Sequence, residues 1–210
     1  PQRPLDTSPS MRPVDARFVT FYTMANVGFF IAALAPSLVT LALKVNTLVA
    51  EPERAGALGV VVAVGALAAM VGAPLWGKLS DRSTFGWGMR RPWMVFGVAG
   101  GFVGTVVMAI APNIAVLLVG FSVTQFLLNA MGASLQAVLA DQVPAGQRGT
   151  VSGVLGISLP VALVTATFLV QLVAPHMVLM FLLPVLATVV LVAPLLLVLR
   201  DRRLSPADKP

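Results

Sequence analysis

Polar side chains recur at helical spacing on one long apolar part of the sequence. The set is Ser122, Gln125, Asn129 and Gln136, and Gly132 completes the spacing between the last two. Steps of three or four residues place these positions, which we call the amide stripe, on one face of an α-helix. Their amide and hydroxyl groups donate and accept hydrogen bonds, but none is a strong nucleophile or a ready proton carrier. The pattern predicts binding of a polar partner without covalent chemistry.

An amide without a partner is costly inside hydrocarbon, so the amide stripe must meet water, a ligand or a second helix. Two interpretations stay open for each amide: hydrogen bonding between helices, or lining of a polar cavity. For the stripe as a whole we favour a cavity. Asn26, on the first apolar segment, is a further candidate for its wall. We therefore predict that Asn26, Gln125, Asn129 and Gln136 contact a substrate.

The residues that enzymes and metal sites need are scarce. The chain has one histidine, His176, and no cysteine, which excludes disulfides and thiolate metal sites. Four long stretches contain no Asp, Glu, Lys or Arg, so they offer His176 no carboxylate partner. These stretches are 18–43, 55–77, 93–140 and 149–199. We predict a protein that is not an enzyme and that uses no cofactor or metal.

The elements that carry these residues are predicted to be membrane-spanning helices. Apolar residues make up 58% of the chain and the mean hydropathy is +0.92. Each uncharged stretch reaches the roughly 20 residues that a helix needs to cross a bilayer. Turn signals at Pro112-Asn113 and Pro175-His176 divide the two longest stretches, and the continuous apolar runs disagree with barrel strands. The predicted spans are 18–43, 55–76, 93–111, 114–140, 150–173 and 177–199.

Six spans predict an all-α membrane protein built from two three-helix units. Because three is an odd number, the second unit enters the bilayer from the opposite side, which makes the units inverted repeats. We place this transmembrane bundle at residues 14–200. Residues 1–13 and 201–210 are predicted to be flexible cytoplasmic tails.

Most basic residues fall on one side of this topology. Twelve of the 14 lie in the termini and in the loops after the second and fourth spans, and only Lys44 and Arg54 lie on the other side. By the positive-inside rule the first side is cytoplasmic, which predicts a cell (inner) membrane protein with both termini inside. We therefore attribute the excess of basic residues to the orientation of the chain in the membrane and not to nucleic-acid binding. The twelve are Arg3, Arg12, Arg17, Lys78, Arg82, Arg90, Arg91, Arg148, Arg200, Arg202, Arg203 and Lys209.

The most specific segment is the loop after the second span, with the sequence GKLSDRSTFGWGMRRPW at residues 77–93. Gly77 lets two helices approach, Asp81 can accept hydrogen bonds, and Pro92 suits the first turn of a helix. The ordered combination of Gly, Leu, Asp-Arg, Gly and Arg-Arg resembles the signature loop between helices 2 and 3 of the major facilitator superfamily. The segment DQVPAGQRG at residues 141–149 resembles the loop between helices 4 and 5 of the same superfamily.

This resemblance covers about residues 15–203 and implies one six-helix half of a twelve-helix transporter. In such a half, helices 1 and 4 line the central cavity and helices 3 and 6 lie outside, which agrees with the polar residues of the first and fourth spans. The resemblance also implies a latch that braces the inner ends of the two halves when the cavity opens outward. The gating residues that it implies are Asp81, Arg82, Arg90, Arg91, Asp141 and Arg148.

The signature loop looks most like that of the glycoside and cation symporters and their sucrose-transporter relatives, because Trp87-Gly88 precedes the arginines and Pro92-Trp93 follows them. The chain also departs from these families. The second span lacks the paired carboxylates that hold a cation in the symporters, and Met89 stands where a basic residue is common. The fourth span lacks the arginine of proton-coupled drug exporters.

These observations predict a half of a secondary active transporter that moves a small polar solute, such as a sugar or glycoside, by alternating access. A lone half would leave the amide stripe facing lipid, so we expect a second six-helix half, supplied by a second copy or by a separate polypeptide. One alternative is a non-transporting scaffold or assembly subunit, consistent with the uncharged spans. The other is a drug or lipid exporter half, consistent with the apolar walls.

Small residues four apart predict close helix packing at three pairs. The pairs are Gly97 with Gly101, Gly100 with Gly104, and Gly149 with Gly153. Prolines inside the predicted spans can bend their helices, because each removes a backbone hydrogen-bond donor. They are Pro36, Pro74, Pro160, Pro184 and Pro194.

Overall fold

A computed structural model describes residues 13–83, 85–199 and 201 of the chain. All regular structure in these residues is helical, and six helical segments are long and apolar enough to cross a membrane. The prediction of an all-α fold with six spans is confirmed, while most of both predicted tails lies outside the described residues. The helices are α1 (Ala16–Ala35), α2 (Leu41–Leu48), α3 (Arg54–Asp81), α4 (Arg91–Ala109), α5 (Ile114–Gln142), α6 (Ala145–Leu155), α7 (Ser158–Leu172) and α8 (Met177–Val198).

The first span consists of α1 and α2, joined by a π-helical turn at Pro36–Thr40. It begins after Asp15, whose carboxylate accepts a hydrogen bond from the backbone N–H of Phe18 at 2.9 Å. The predicted end of this span at residue 43 was too early, since α2 continues to Leu48. The charge of Lys44 does not stop the helix, because its ammonium group reaches a carbonyl at the end of α4, that of Ala109, at 3.0 Å.

The fifth span consists of α6 and α7, with a break at residues 156 and 157. The backbone N–H of Ile157 donates to the carbonyl of Val154 at 3.2 Å, which tightens the chain before α7 begins at Ser158. Pro160 therefore lies in the first turn of α7, where a missing N–H is tolerated, and not in a helix interior as the sequence suggested. The three prolines inside continuous helices are Pro74, Pro184 and Pro194.

Glycines allow α4 to lie directly against α5. A Cβ atom added to Gly97 would lie 2.5 Å from a backbone nitrogen of α5, and one added to Gly104 would collide with the same helix. The prediction of close packing is confirmed at Gly97, Gly100, Gly101 and Gly104. It does not hold within this chain for the fifth span, because Cβ atoms added to Gly149 and Gly153 would meet no described atom within 4 Å.

Two buried hydroxyl groups hold α1 to its neighbours. The phenol of Tyr22 donates to the carbonyl of Leu135 in α5 at 2.6 Å. The hydroxyl of Thr188 in α8 donates to the carbonyl of Gly28 in α1 at 2.7 Å. Both side chains are almost fully buried, so each hydrogen bond forms away from competing water. The first span is therefore fixed between the fourth and sixth spans.

The second and fifth spans each contact the bundle along one narrow face. The buried residues of α3 and α7 recur mostly at intervals of four, as one helix face requires. They are Val61, Gly65, Gly72, Trp76 and Ser80 in α3, and Ser158, Ala162, Ala166 and Val170 in α7. The remaining surfaces expose large apolar side chains such as Met70 and Val164. In a bilayer, these surfaces contact lipid or another protein.

Candidate functional site

The amide stripe lies along α5, and its amides make no hydrogen bond to another helix among the described residues. The side-chain nitrogen of Asn129 donates to the backbone carbonyl of Gln125, one turn earlier, at 2.6 Å. Asn26 repeats this geometry in α1, donating to the carbonyl of Tyr22 at 2.9 Å. Each of these amides thus bonds to its own helix and keeps its side-chain oxygen available as an acceptor.

The other polar groups of the stripe have still fewer partners. The side chains of Gln125 and Gln136 make no hydrogen bond within the part of the chain that the structure describes. Gln125 is half-buried and Gln136 is exposed. The hydroxyl oxygen of Ser122 is buried and has no partner. Interhelical hydrogen bonding, one of the two interpretations left open, does not account for these amides.

An aromatic ring from the first span interrupts the amide stripe. A Cβ atom added to Gly132 would lie 2.7 Å from the ring of Phe29, so the ring occupies the space that a side chain at position 132 would fill. Phe29 therefore lies between the level of Asn129 and that of Gln136. The sequence offered no signal for this residue, because a phenylalanine in an apolar helix looks like any other packing residue. The ring of Phe29 therefore divides the amide stripe into two parts, one that contains Gln125 and Asn129 and one that contains Gln136.

A second site is formed by charged residues at one end of the bundle, which we call the arginine end because it carries Arg90, Arg91 and Arg148. Arg90 is 5% exposed and contacts two carboxylates. Its Nη1 lies 2.7 Å from Oδ1 of Asp81 at the end of α3, and its Nε lies 2.8 Å from Oδ2 of Asp141 near the end of α5. The hydroxyl of Ser80 accepts a further hydrogen bond from Nη1 at 2.9 Å. One side chain thus joins both loop motifs.

The charge of Arg90 is preserved by these contacts. Burial alone would lower the pKa of Arg90, because it disfavours the charged form. Hydrogen bonds and charge attraction from Asp141 and Asp81 outweigh burial, so the pKa is raised above its ordinary value. Arg90 therefore stays positively charged and lies between the carboxylates of Asp81 and Asp141.

The start of α4 is capped from the far end of the chain. The Oδ2 atom of Asp201, three residues after α8, accepts hydrogen bonds from the backbone N–H groups of Arg90 and Arg91, both at 2.8 Å. The guanidinium of Arg91 also donates to the carbonyl of Leu199. Gly88 lies beside this contact with a φ of 114°, and a Cβ atom there would collide with Asp201. A carboxylate at a helix N-terminus is favoured by the free N–H groups and the helix dipole.

Two of the predicted gating residues lie apart from this cluster. Arg148 donates to the carbonyls of Val143 and Ala140, both at 2.9 Å, and so caps the end of α5. The side chain of Arg82 is exposed and has no partner among the described residues. The structure brings together Asp81, Arg90, Arg91 and Asp141, and it adds Ser80 and Asp201, which the sequence analysis missed.

A comparison with protein-family models finds a match to the Major Facilitator Superfamily over residues 18–210. The match spans nearly the whole chain and includes both loop motifs and all six spans. The chain belongs to the major facilitator superfamily. A comparison with curated proteins finds no match.

Membership in the major facilitator superfamily agrees with the geometry described above. The family consists of membrane transporters, and this chain supplies six membrane-spanning helices that correspond to half of the family's fold. The protein is therefore a multi-pass membrane protein of a transporter family, whose surroundings are the lipid bilayer and whose expected ligand is a small molecule.

Proposed function

We propose that this chain is one half of a secondary active transporter that moves a small polar solute by alternating access after it pairs with a second six-helix half. The observation that carries the proposal is the set of amides on α5 and α1 that make no bond to another helix. Asn26, Gln125, Asn129 and Gln136 supply donors and acceptors of the kind that hydroxyl-rich solutes require. We propose a sugar or glycoside as the solute class, in line with the similarity of the signature loop.

The second half is proposed because α3 and α7 expose most of their surface. Each contacts its own bundle along a single face, so a wide apolar surface remains for another set of helices. The open positions Gly149 and Gly153 would allow such helices to approach closely. In the paired protein, opening at the arginine end would be controlled by the predicted gating residues, which are Asp81, Arg82, Arg90, Arg91, Asp141 and Arg148. We place this end in the cytoplasm of an inner-membrane protein.

Uptake by proteoliposomes tests this function. The chain is reconstituted alone and with a candidate partner half, under imposed proton and sodium gradients, with radiolabelled sugars and glycosides outside. Gln125→Ala and Asn129→Ala should each lower uptake and weaken solute binding. Thr47→Val is the matched control, because the hydroxyl of Thr47 is exposed on α2 and bonds only to its own helix, at the carbonyl of Lys44. Uptake that is equally insensitive to all three substitutions contradicts the proposed cavity.

A non-transporting scaffold is the second candidate, and one observation favours it. The predicted uncharged stretches leave the interior of the spans without an embedded Asp, Glu, Lys or Arg, of the kind that ion-coupled carriers normally use. Under this function, binding of the partner half would persist while no gradient or solute produced uptake. The same proteoliposomes, assayed for co-purification of the two halves and for flux, separate the two candidates.

A further inference from the structure

The loop between α3 and α4 ends in a tight turn that presents two aromatic side chains to the surroundings. The backbone N–H of Gly88 donates to the carbonyl of Phe85 at 3.0 Å, which closes the turn Phe85–Gly88. Within it, Phe85 is 56% exposed and Trp87 is 72% exposed. A connection between two helices needs only small or polar residues, so large rings on its outer side indicate a nonpolar environment there.

The turn is continuous with an aromatic row on the outer side of the bundle. The ring centroid of Phe85 lies 6.3 Å from that of Trp93 in the first turn of α4, and Trp93 lies 5.9 Å from Phe96. Phe96 is itself exposed and shares its helix face with Val103, which is 58% exposed. Exposed aliphatic and aromatic residues on a membrane span face lipid, so the turn lies beside the lipid-facing side of α4 at its very end.

The charges next to the turn are positive and unpaired. Lys78, in the last turn of α3, and Arg82, which directly follows this helix, are both exposed, and their side chains have no partner among the described residues. The nearby carboxylates are already engaged, because Asp81 and Asp141 contact Arg90 and Asp201 caps α4. Cations beside exposed rings match the surface of a bilayer, where anionic phosphates lie just outside the level of the acyl ester groups.

We propose that the turn Phe85–Gly88 is an interfacial anchor, which inserts Trp87 and Phe85 among the headgroups of the adjoining leaflet while Lys78 and Arg82 contact anionic lipid phosphates. The anchor needs neither a solute nor a second half, so it goes beyond the proposed transport function. The turn is attached to the helix bundle, because Gly88 lies beside Asp201, whose carboxylate accepts a hydrogen bond at the start of α4. The turn therefore fixes the depth of α4 in the membrane.

Depth-dependent fluorescence quenching tests the anchor. The full chain is reconstituted in vesicles of phosphatidylcholine and phosphatidylglycerol whose acyl chains carry bromine at shallow or deep positions. The difference in emission between the wild type and Trp87→Phe isolates Trp87 from Trp76 and Trp93. We expect this difference signal to be quenched most by shallow bromines and to be protected from aqueous iodide. The remaining emission of Trp87→Phe, which comes from Trp93 and from Trp76, a ring that is 9% exposed, provides the internal reference.

The cationic part of the anchor has its own measurement. Replacing both Lys78 and Arg82 with glutamine should remove the preference of Trp87 for brominated phosphatidylglycerol over brominated phosphatidylcholine. If Trp87→Phe folds poorly, the combined variant Phe85→Trp with Trp87→Phe moves the reporter within the same turn. Free quenching by iodide with no effect of bromine places the turn in water and overturns the proposal. Protection from both quenchers means that protein covers the turn, which overturns it as well.

Discussion

The Nε atom of Arg90 lies 2.8 Å from Oδ2 of Asp141, across 51 residues of sequence. Arg90 belongs to the signature loop and Asp141 belongs to the loop between the fourth and fifth spans. The same guanidinium lies 2.7 Å from Asp81, so three chain segments meet at one buried cation. The two motifs that the sequence offered separately are therefore parts of one ion-pair cluster.

Loss of Asp141 should destabilise the protein more than loss of Asp81. The side chain of Asp141 is 33% exposed and that of Asp81 is 59% exposed, so water screens the second pair more strongly. We expect Asp141→Asn to lower the free energy of unfolding by about 1–3 kcal/mol. Asp81→Asn should lower it by about 1 kcal/mol or less. Thermal unfolding followed by circular dichroism in detergent compares them, and the reverse order would contradict this view of the cluster.

The stability that Arg90 contributes should not vary with pH in the ordinary range. Its pKa is raised in the folded protein, so this contribution is fully present below the unfolded pKa and is lost only as the pH rises through the folded value. Both values lie above the range of common buffers. Arg90→Lys should behave differently, because lysine approaches its own titration near about pH 10. Melting midpoints of both proteins at rising alkaline pH should diverge, and parallel curves would argue against the pairing.

The contact between Gly88 and Asp201 should appear as energetic coupling. Gly88→Ala introduces a Cβ atom at a φ of 114° that collides with Asp201, so it should cost about 1–3 kcal/mol. Asp201→Ala removes a helix cap and should cost about 1 kcal/mol. In the double variant the collision with the carboxylate is absent and only that with the Cβ atom at position 201 remains, so the loss should be smaller than the sum. A double-mutant cycle of unfolding free energies measures this, and strict additivity would show that the contact has no energetic role.

Glycines of α4 and α6 should respond in opposite ways to added volume. Gly97→Ala places a Cβ atom 2.5 Å from the backbone of α5, and we expect a loss of roughly 2 kcal/mol or more. Gly149→Ala, its matched control, meets no described atom and should leave the stability of the isolated chain unchanged or slightly higher. Melting midpoints in detergent give the comparison. Equal losses for the two variants would contradict the packing described for α4 and α5.

Transport provides a separate test of the gating role of Asp81. Asp81→Ala should lower flux by about 5- to 100-fold, a range typical of coupled conformational changes, while solute affinity stays the same. Glu51→Ala is a suitable control, since the carboxylate of Glu51 is exposed at the opposite end of the second span and makes no described contact. Initial uptake rates and equilibrium binding distinguish the two effects. Unchanged flux in Asp81→Ala would remove this residue from the gate.

The six spans and both loop motifs could be predicted from the sequence because each depends on a local property. Long runs without charge require a bilayer, and the order of residues in a loop is visible without knowing its neighbours. The end of the first span was missed at Lys44 because its stabilising partner, the carbonyl of Ala109, comes from a distant helix. The charge of Lys44 alone suggested that the first span ends there, whereas the contact with Ala109 allows the helix to continue to Leu48.

The candidate sites were predicted less completely for the same reason. Asp201 was assigned to a flexible tail, since nothing near it in sequence reveals that it caps α4. Phe29 was not distinguished from other apolar residues, although its ring occupies the space beside Gly132. Gly149 and Gly153 have the spacing of packed helices but no neighbour among the described residues. Spacing defines a face, and only the arrangement of the other helices determines what covers it.

The two hydrogen bonds between Asp201 and the start of α4 have a mechanical consequence. Asp201 lies three residues past α8 and is hydrogen-bonded to the backbone of Arg90 and Arg91, so it ties the end of α8 to the start of α4. A force applied at Asp201 therefore loads these two hydrogen bonds before it strains the apolar packing of α8. Such a force acts directly beside Arg90 and Arg91.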